Sequence, residues 1–426
     1  MEAIYQADAS RVGTQRETVA QPVAGVPEMG SAEEPLFVGA AKRSITPTVR
    51  GRKVFMAGHH RGRLATDIHD ELWVRAVAVR LRESTVILAG LDLIGLFRED
   101  VEAIRSMVAA AGVPADSLIV TCTGNHSGPD TLGLWRKGPR SLGLNVRYTD
   151  FLREQVAQVI RLAVEAMEPA QAYMACAEMD ELGREAETAS LSVMQFRDLA
   201  GRQVATVVNG PLVPQVLEEA NTAISADFVN WLYLDLERTR DDVVLYVCAE
   251  AGEPSLVREH SWSEAERVGC LLASMVRHAV ENAPPMAIAH LAVWRRPISI
   301  PPDRSRLVWP KDAGGRPGGE WRTESEVGLV EFGPLRMVAL PGLAAPEMGF
   351  ELRKALDAPY RWLLCMSNDS LGTIRLWQGL PRHEGFSSSA SGPPPSRAIP
   401  CVRVGSQVGT IIMDQVADLM LEVRGR

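Results

Sequence analysis

Lysine is almost missing from this 426-residue chain. Of its 45 basic residues, only Lys42, Lys53, Lys137, Lys311 and Lys354 are lysines, and the rest are arginines. Basic charge is in deficit too: 53 acidic side chains leave a net charge of −8. Nucleic-acid binding needs a clustered basic excess, so no nucleic-acid partner is expected. The arginine preference reads as coding bias of a GC-rich genome rather than phosphate recognition. Cysteine is sparse, with six residues (122, 176, 248, 270, 365, 401) and no Cys-x-x-Cys pair. Paired-thiolate metal and redox motifs are therefore lacking. Cysteines inside apolar runs, as in Tyr246-Val247-Cys248 and Leu363-Leu364-Cys365, predict buried free thiols in a reducing cytosol. No apolar stretch approaches the ~18 residues that span a bilayer. The first 35 residues lack the basic start and apolar centre of a signal sequence. They are rich in Ala, Glu, Gln, Val and Gly without a period, which predicts a disordered arm over 1–35. No internal repeat is present. A cytoplasmic protein is expected.

What is present is ordinary for a globular chain: 46% hydrophobic and 23% charged residues. Phe37–Ala41 reads as a first strand. Trp73–Leu81 and Ser84–Asp92 read as a hairpin turning at Arg82-Glu83. Arg98–Ala111 has helical spacing and stops at Gly112 and Pro114. Leu118–Thr121 is the next strand, and Thr149–Met167 an amphipathic helix with Phe151, Val156, Val159, Ile160 and Val164 on its apolar face. Val204–Val208, Val243–Cys248 and Met337–Leu340 suit buried strands. Ser263–Asn282, Ala345–Leu356 and Val408–Arg424 suit helices. The alternation predicts an α/β fold, a mixed β-sheet core with helices packed on its faces. One large domain over 36–426 is expected, with flexible loops near 301–321 and 384–400, the latter Ser- and Pro-rich.

The chemistry concentrates in Thr121-Cys122-Thr123-Gly124-Asn125-His126-Ser127-Gly128-Pro129. A buried strand running into a small-residue loop with one His and one Ser is where α/β proteins place reacting groups. His126 is the leading site residue, with Ser127 beside it. Ser255 and Glu253, two apart in a turn, could serve as nucleophile or donor and its orienting acid, or Ser255 could cap the turn or the next helix. His69 is a candidate acid or base; its adjacent Asp70 is not expected to pair with it, and a hydrogen bond to a distant carboxylate is the plainer reading. His59 and His60 could join His126 at a metal, act as acid or base, or be solvated in an Arg-rich loop. Asp92 and Asp227 sit at strand or turn ends, where capping and substrate contact are equally open.

Several motifs, in order from about residue 36 to 424, resemble the neutral/alkaline non-lysosomal ceramidase family, in its N-terminal catalytic domain and the shorter bacterial proteins built on it. Val38–Pro47 resembles the family's opening strand ending in Ile-Thr-Pro. Met56-Ala57-Gly58-His59 is similar to its Met-x-Gly-Tyr loop, and Asp67–Ala76 to its Gly-Ile-His-Asp-x-Leu-Tyr-Ala-Arg-Ala segment. Leu91–Gly95 resembles its Asp-bearing strand end. Gly124–Pro129 corresponds to Thr-His-Thr-His-Ser-Gly-Pro, and Ser225-Ala226-Asp227-Phe228 to a later Ser-Ala-Asp-Phe. The resemblance implies a ceramidase-like fold and hydrolysis of an N-acyl amide by a zinc-activated water. It also implies a zinc set of two His, a Glu and a Tyr. His126 matches the first His. Gly210 stands for the second (Asn209-Gly210-Pro211), Leu343 for the Glu (Leu340-Pro341-Gly342-Leu343) and Thr373 for the Tyr after Asn368-Asp369. A Gly-Gly-Tyr-Glu motif reads Glu384-Gly385-Phe386-Ser387.

One imidazole does not hold zinc at useful affinity, because that affinity needs several preorganised ligands. No cofactor is therefore expected, with zinc kept as the lesser alternative. The expected partner is a small amphiphilic or acyl-amide substrate. Gly210, Leu343 and Thr373 should line a less polar pocket, joined by His59, His60, Asp92, Ser127 and Asp227. The expected function is a divergent enzyme of amide or acyl chemistry (hydrolysis, acyl transfer or cyclisation, as in bacterial secondary metabolism) using His126, Ser255, His69 and Glu253. The alternatives are a zinc amide hydrolase with a rebuilt site and a non-catalytic ligand-binding protein.

Overall fold

The computed structural model describes residues 35–135, 146–178, 190–237, 239, 242–250, 256–301, 323–376 and 407–424. The expected N-terminal arm and both expected loops lie outside these residues but for positions 35 and 301, as do Glu253, Ser255 and the 384–387 motif. In chain order the elements are Leu36–Ser44 (β1), Asp67–Ile68 (β2), Trp73–Leu81 (β3), Ser84–Leu91 (β4), Arg98–Ala110 (α1), Leu118–Cys122 (β5), Val146–Glu165 (α2), Glu168–Glu178 (β6), Ser190–Asp198 (β7) and Gln203–Gly210 (β8). Then come Ala223–Ile224 (β9), Phe228–Leu236 (α3), Val243–Cys248 (β10), Trp262–Glu281 (α4), Pro285–Met286 (β11), Leu291–Ile300 (β12), Thr323–Phe332 (β13) and Leu335–Ala339 (β14). Leu343–Ala344 (β15), Pro346–Leu356 (α5), Tyr360–Leu364 (β16), Thr373–Ile374 (β17) and Val408–Arg424 (α6) complete them.

The mixed α/β class expected from the alternation is what the chain adopts, with two main sheets. Strands β10-β8-β7-β6-β1-β3-β4-β5 lie in that order in a nine-stranded sheet, with β11 beside β6. Strands β12-β13-β14-β16 form a second sheet. The two pack face to face over Val79, Leu88, Val207, Val330, Met337 and Trp362. Helices cover the outer faces: α2 lies on β1 and β3, α4 on β6 and β7, and α6 on β12 and β13. Alternate residues of β4 serve the two sides, Ile87 and Ala89 under the helices and Val86 and Leu88 between the sheets, the period-two pattern of a strand buried on both faces. The hairpin turns at Arg82, whose φ of 55° relaxes the tight connection. Helix α2 buries Leu152, Val156, Val159, Ile160 and Ala163, while Phe151 is exposed. The expected apolar face holds at Val156, Val159 and Ile160, and only Phe151 is off it. The helix begins at Val146, and a 3.6-residue repeat places Leu152, not Phe151, in line with Val156 and Val159.

The nine-stranded sheet curls until its two edges approach each other. β10 packs against β3, β4 and β5 from the far edge. A Cβ on Gly90 of β4 would stand 3.0 Å from the Leu245 side chain of β10, so glycine permits the approach. Residues 365–368 seal the seam. On one side the Cys122 amide donates to Met366 O (3.1 Å) and the Asn368 amide to Val120 O (2.7 Å). On the other the Cys365 amide donates to Cys248 O (3.0 Å). Met366 and Asn368 pay for this with positive φ, 52° and 61°. Non-glycine residues in that region cost about 1–3 kcal/mol each, and such outliers gather at functional sites. The ends of β5 and β10 meet at this segment, Cys122 at Met366 and Cys248 at Cys365, and Gly210 of β8 pairs with Cys248, so the loops after β5, β8 and β10 emerge at one end of the seam. Carboxyl ends of parallel strands are where open α/β sheets bind ligands.

Candidate functional site

Strand β5 is buried along its whole length, which follows from its parallel neighbour β4 and the seam segment on its other side. It ends at Cys122, and Gly124, with a φ of 82°, turns the chain. The loop that follows is pinned by Asn125. Its Nδ2 donates to Asp92 O (3.1 Å) and Ser225 O (2.7 Å), and its Oδ1 accepts the Ser127 amide (2.8 Å). The His126 amide donates to Pro214 O (3.0 Å), tying the loop after β5 to the loop after β8. Gly58 (φ 99°) presses on the imidazole: a Cβ there would lie 2.5 Å from His126 Cβ.

His126 is buried, and among the described residues neither Nδ1 nor Nε2 has a hydrogen-bond partner. Buried polar side chains are nearly always paired, so two orphaned ring nitrogens keep His126 the leading candidate on this loop. The buried Thr123 hydroxyl on the same loop is also unpartnered. Burial, then His59 and Arg63, hold the imidazole at about 3, so it is uncharged. His59 meets it edge to face with ring centroids 5.4 Å apart. His59 Nε2 lies 3.3 Å from Leu217 O and acts as the donor, and burial, then Arg63, bring this ring to about 4. His60 turns away: it is exposed, with Nδ1 3.6 Å from Glu219.

Sequence reasoning missed Arg63. It is buried, and its guanidinium donates to the carbonyls of Ala57, His126, Asn221 (3.0 Å) and Glu218 (3.5 Å). Among the described residues no carboxylate lies within ion-pair distance of it. Burial lowers it to about 10, and it remains a cation. One side chain thus holds three loops around the two imidazoles. Nothing in its sequence neighbourhood separates it from Arg61 or the other arginines of that loop.

The remaining candidates form a scaffold beside this core. Ser127 Oγ accepts Asn221 Nδ2 (3.1 Å). Asp92 accepts the Trp73 amide (2.8 Å) and the Tyr233 hydroxyl (3.2 Å), with Arg75 at 3.8 Å, and burial raises it to about 6. Asp227 (φ 59°) caps α3 at the Phe228 amide (2.6 Å) and also accepts the Leu217 amide (2.9 Å); burial raises it to about 6 as well. His69 corrects an expectation. Its Nδ1 lies 2.8 Å from the adjacent Asp70 Oδ2 rather than bonding a distant carboxylate. The two residues follow β2 in a bend, where neighbouring side chains need not point apart. Asp70 is fixed in turn by the Ser225 hydroxyl (2.5 Å) and the Ala226 amide (2.8 Å), and His69 stacks on Trp262 at 3.8 Å.

Positions 210, 343 and 373 share the seam with the loop of His126. Gly210 pairs with Cys248, whose carbonyl accepts Cys365; the next amide, Met366, donates to Gly342 O (3.0 Å), and Leu343 pairs with Thr373 in parallel. Leu343 is buried, and a Cβ on Gly210 would lie 2.7 Å from the Tyr246 hydroxyl. Of the four positions that the motifs imply for zinc, only position 126 carries an imidazole in the sequence, and among the described residues His59 lies beside it. Among the described residues no group of three or more His, Cys, Asp or Glu could hold a metal ion. These residues do not fit a zinc centre.

No family model matches this sequence, and no curated protein sequence matches it. Solved structures do. Neutral ceramidase from Pseudomonas aeruginosa superposes with a TM-score of 0.73 at 14% identity, covering 92% of this chain and 75% of that one. A ceramidase complexed with C2 gives 0.74 at 15% identity, over 92% and 76%. At such identities the likeness speaks for architecture: this chain has the fold of the neutral ceramidases.

Proposed function

We propose that this protein is a divergent ceramidase-like enzyme acting on a small amphiphilic acyl-amide or acyl substrate, by hydrolysis, acyl transfer or cyclisation, without the family's zinc. The observation that carries this reading is His126: an uncharged imidazole with both nitrogens unpartnered among the described residues, at the carboxyl ends of parallel strands. The names of the fold neighbours, enzymes that act on a lipid amide, supply the substrate class. His126 exchanges a proton or hydrogen bond with the reacting group. Ser255, just beyond β10, is nucleophile or oxyanion donor with Glu253 orienting it, and His69, steadied by Asp70, is a further proton-transfer group. Leu343 and Gly210 leave an apolar wall suited to an acyl chain. The free thiols Cys122, Cys248 and Cys365 support a reducing compartment, and with it a cytosolic tailoring reaction.

One observation favours a second reading, a ligand-binding protein without catalysis: an imidazole held near 3 is a weak base. Assay of His126→Ala and Ser255→Ala on a panel of acyl amides, with ligand binding followed by thermal shift, separates the two. The enzyme reading expects turnover by the wild type and a loss of about 100-fold or more in each variant. Binding that both variants keep, with no turnover by any of the three proteins, would instead establish the second reading.

A further inference from the structure

The space beside Gly210 is occupied from the neighbouring strand. Residues 208 and 210 of β8 project to the same side as 246 and 248 of β10, because Tyr246 pairs with Val208 and Cys248 with Gly210. The Tyr246 ring therefore lies diagonally against Gly210. A Cβ on Gly210 would stand 2.7 Å from Tyr246 Oη and 2.8 Å from Cε2, closer than real Cβ contacts. The ring is not free to yield. It is fully buried, packs edge to face on Phe228 at 5.5 Å, and its hydroxyl donates to Leu212 O (2.7 Å) while accepting the Leu212 amide (3.2 Å).

Those two bonds lead to the site. Leu212 opens the segment whose Pro214 carbonyl accepts the His126 amide and whose Leu217 carbonyl accepts His59 Nε2–H. Val213 lies under Gly124, where a Cβ would come within 3.2 Å of its Cγ1. We infer that Tyr246 fills the volume a side chain at 210 would need and clamps Leu212, so that the backing of His126 and His59 is organised by a tyrosine. On this account Tyr246 is a positioning residue. Position 210 is closed to any ligating side chain while the ring is present, so the site is committed to ligands that bind without a group at 210. The inference does not depend on which reaction, if any, the site performs.

Thermal unfolding of the full chain tests the packing half. Gly210→Ala should melt several degrees below wild type, and that loss should largely vanish in a Tyr246→Ala background, where the methyl has room. A Gly210→Ala protein as stable as wild type overturns the inference, and so does a cost as large in the Tyr246→Ala background as in the wild type. Tyr246→Phe tests the clamp and keeps the ring if Tyr246→Ala does not fold. Its amide exchange should quicken over residues 211–217, and the ring signals of His59 and His126 should move in NMR spectra while those of His290 stay. Unchanged exchange and unmoved His59 and His126 signals would remove the clamp.

Discussion

The two walls of the proposed site are built from opposite materials. The wall carrying His59, Arg63 and His126 is polar: a buried cation binds four carbonyls, and Asn125, Ser127, Asn221 and Ser225 link the loops by side-chain hydrogen bonds. The wall carrying Gly210, Leu343 and Thr373 is apolar and filled, by Tyr246 on one side and by the buried Leu343 and Ile374 on the other. Both are fastened to the same seam. A fold can therefore keep the loop geometry that presents one imidazole while positions 210, 343 and 373 change their chemistry, because Arg63, Asn125 and the backbone hydrogen bonds of the seam, not the side chains at those three positions, hold the loops in place.

The comparison breaks first at Arg63. Arg63→Met should leave the carbonyls of Ala57, His126, Glu218 and Asn221 short of donors. Each buried group so stranded costs about 1–3 kcal/mol, so a loss on the order of 3 kcal/mol or more is expected in denaturant unfolding. Arg63→Lys should recover part of it. A loss below about 1 kcal/mol in Arg63→Met would mean that the polar wall is held otherwise. On the apolar wall Leu343→Ala should cost about 2–3 kcal/mol, the usual result of emptying a buried leucine site; a neutral result would show that the wall is looser than its burial implies.

Asp369 sharpens the comparison through pH. It directly follows the seam segment, accepts the Arg98 and Ser370 amides and the Ser325 hydroxyl, and burial raises it to about 6 from an ordinary 3.8. The folded protein thus holds a proton that the unfolded chain releases between those values. The contribution of Asp369 is full below about pH 4 and is lost as pH rises through about 6. Asp369→Asn, which can keep all three hydrogen bonds, should match wild type near pH 4 and exceed it above pH 6 by up to about 3 kcal/mol. A variant less stable than wild type at pH 7 contradicts that sign. The smallest effect is expected at the half-buried Thr373, where Thr373→Val should stay within about 0.5 kcal/mol by thermal unfolding. A larger loss would give its hydroxyl a role that the apolar wall does not predict.

Much of this architecture was legible in the sequence, for reasons that the misses clarify. The β3–β4 hairpin and helix α6 announce themselves by regular apolar periods, and their limits fall where the residues change. Strand β12 was not foreseen; it carries Arg295-Arg296-Pro297 and is an edge strand of its sheet, where proline costs no ladder bond. Strand β6 is built of alanines and polar residues with little strand preference, and its pairing with β1 and β7 decides the outcome. At the site, His126 and the replaced positions 210, 343 and 373 could be read from motif order. Arg63, Asn221 and Tyr246 could not, because their roles arise only when segments some 35 to 160 residues apart meet at the seam.

The most direct measurement is calorimetric titration of zinc into the purified, chelator-treated full chain. With one wall polar and the other filled, the account predicts no stoichiometric binding at micromolar zinc. One zinc per chain bound at submicromolar affinity, and lost in His126→Ala, would contradict it.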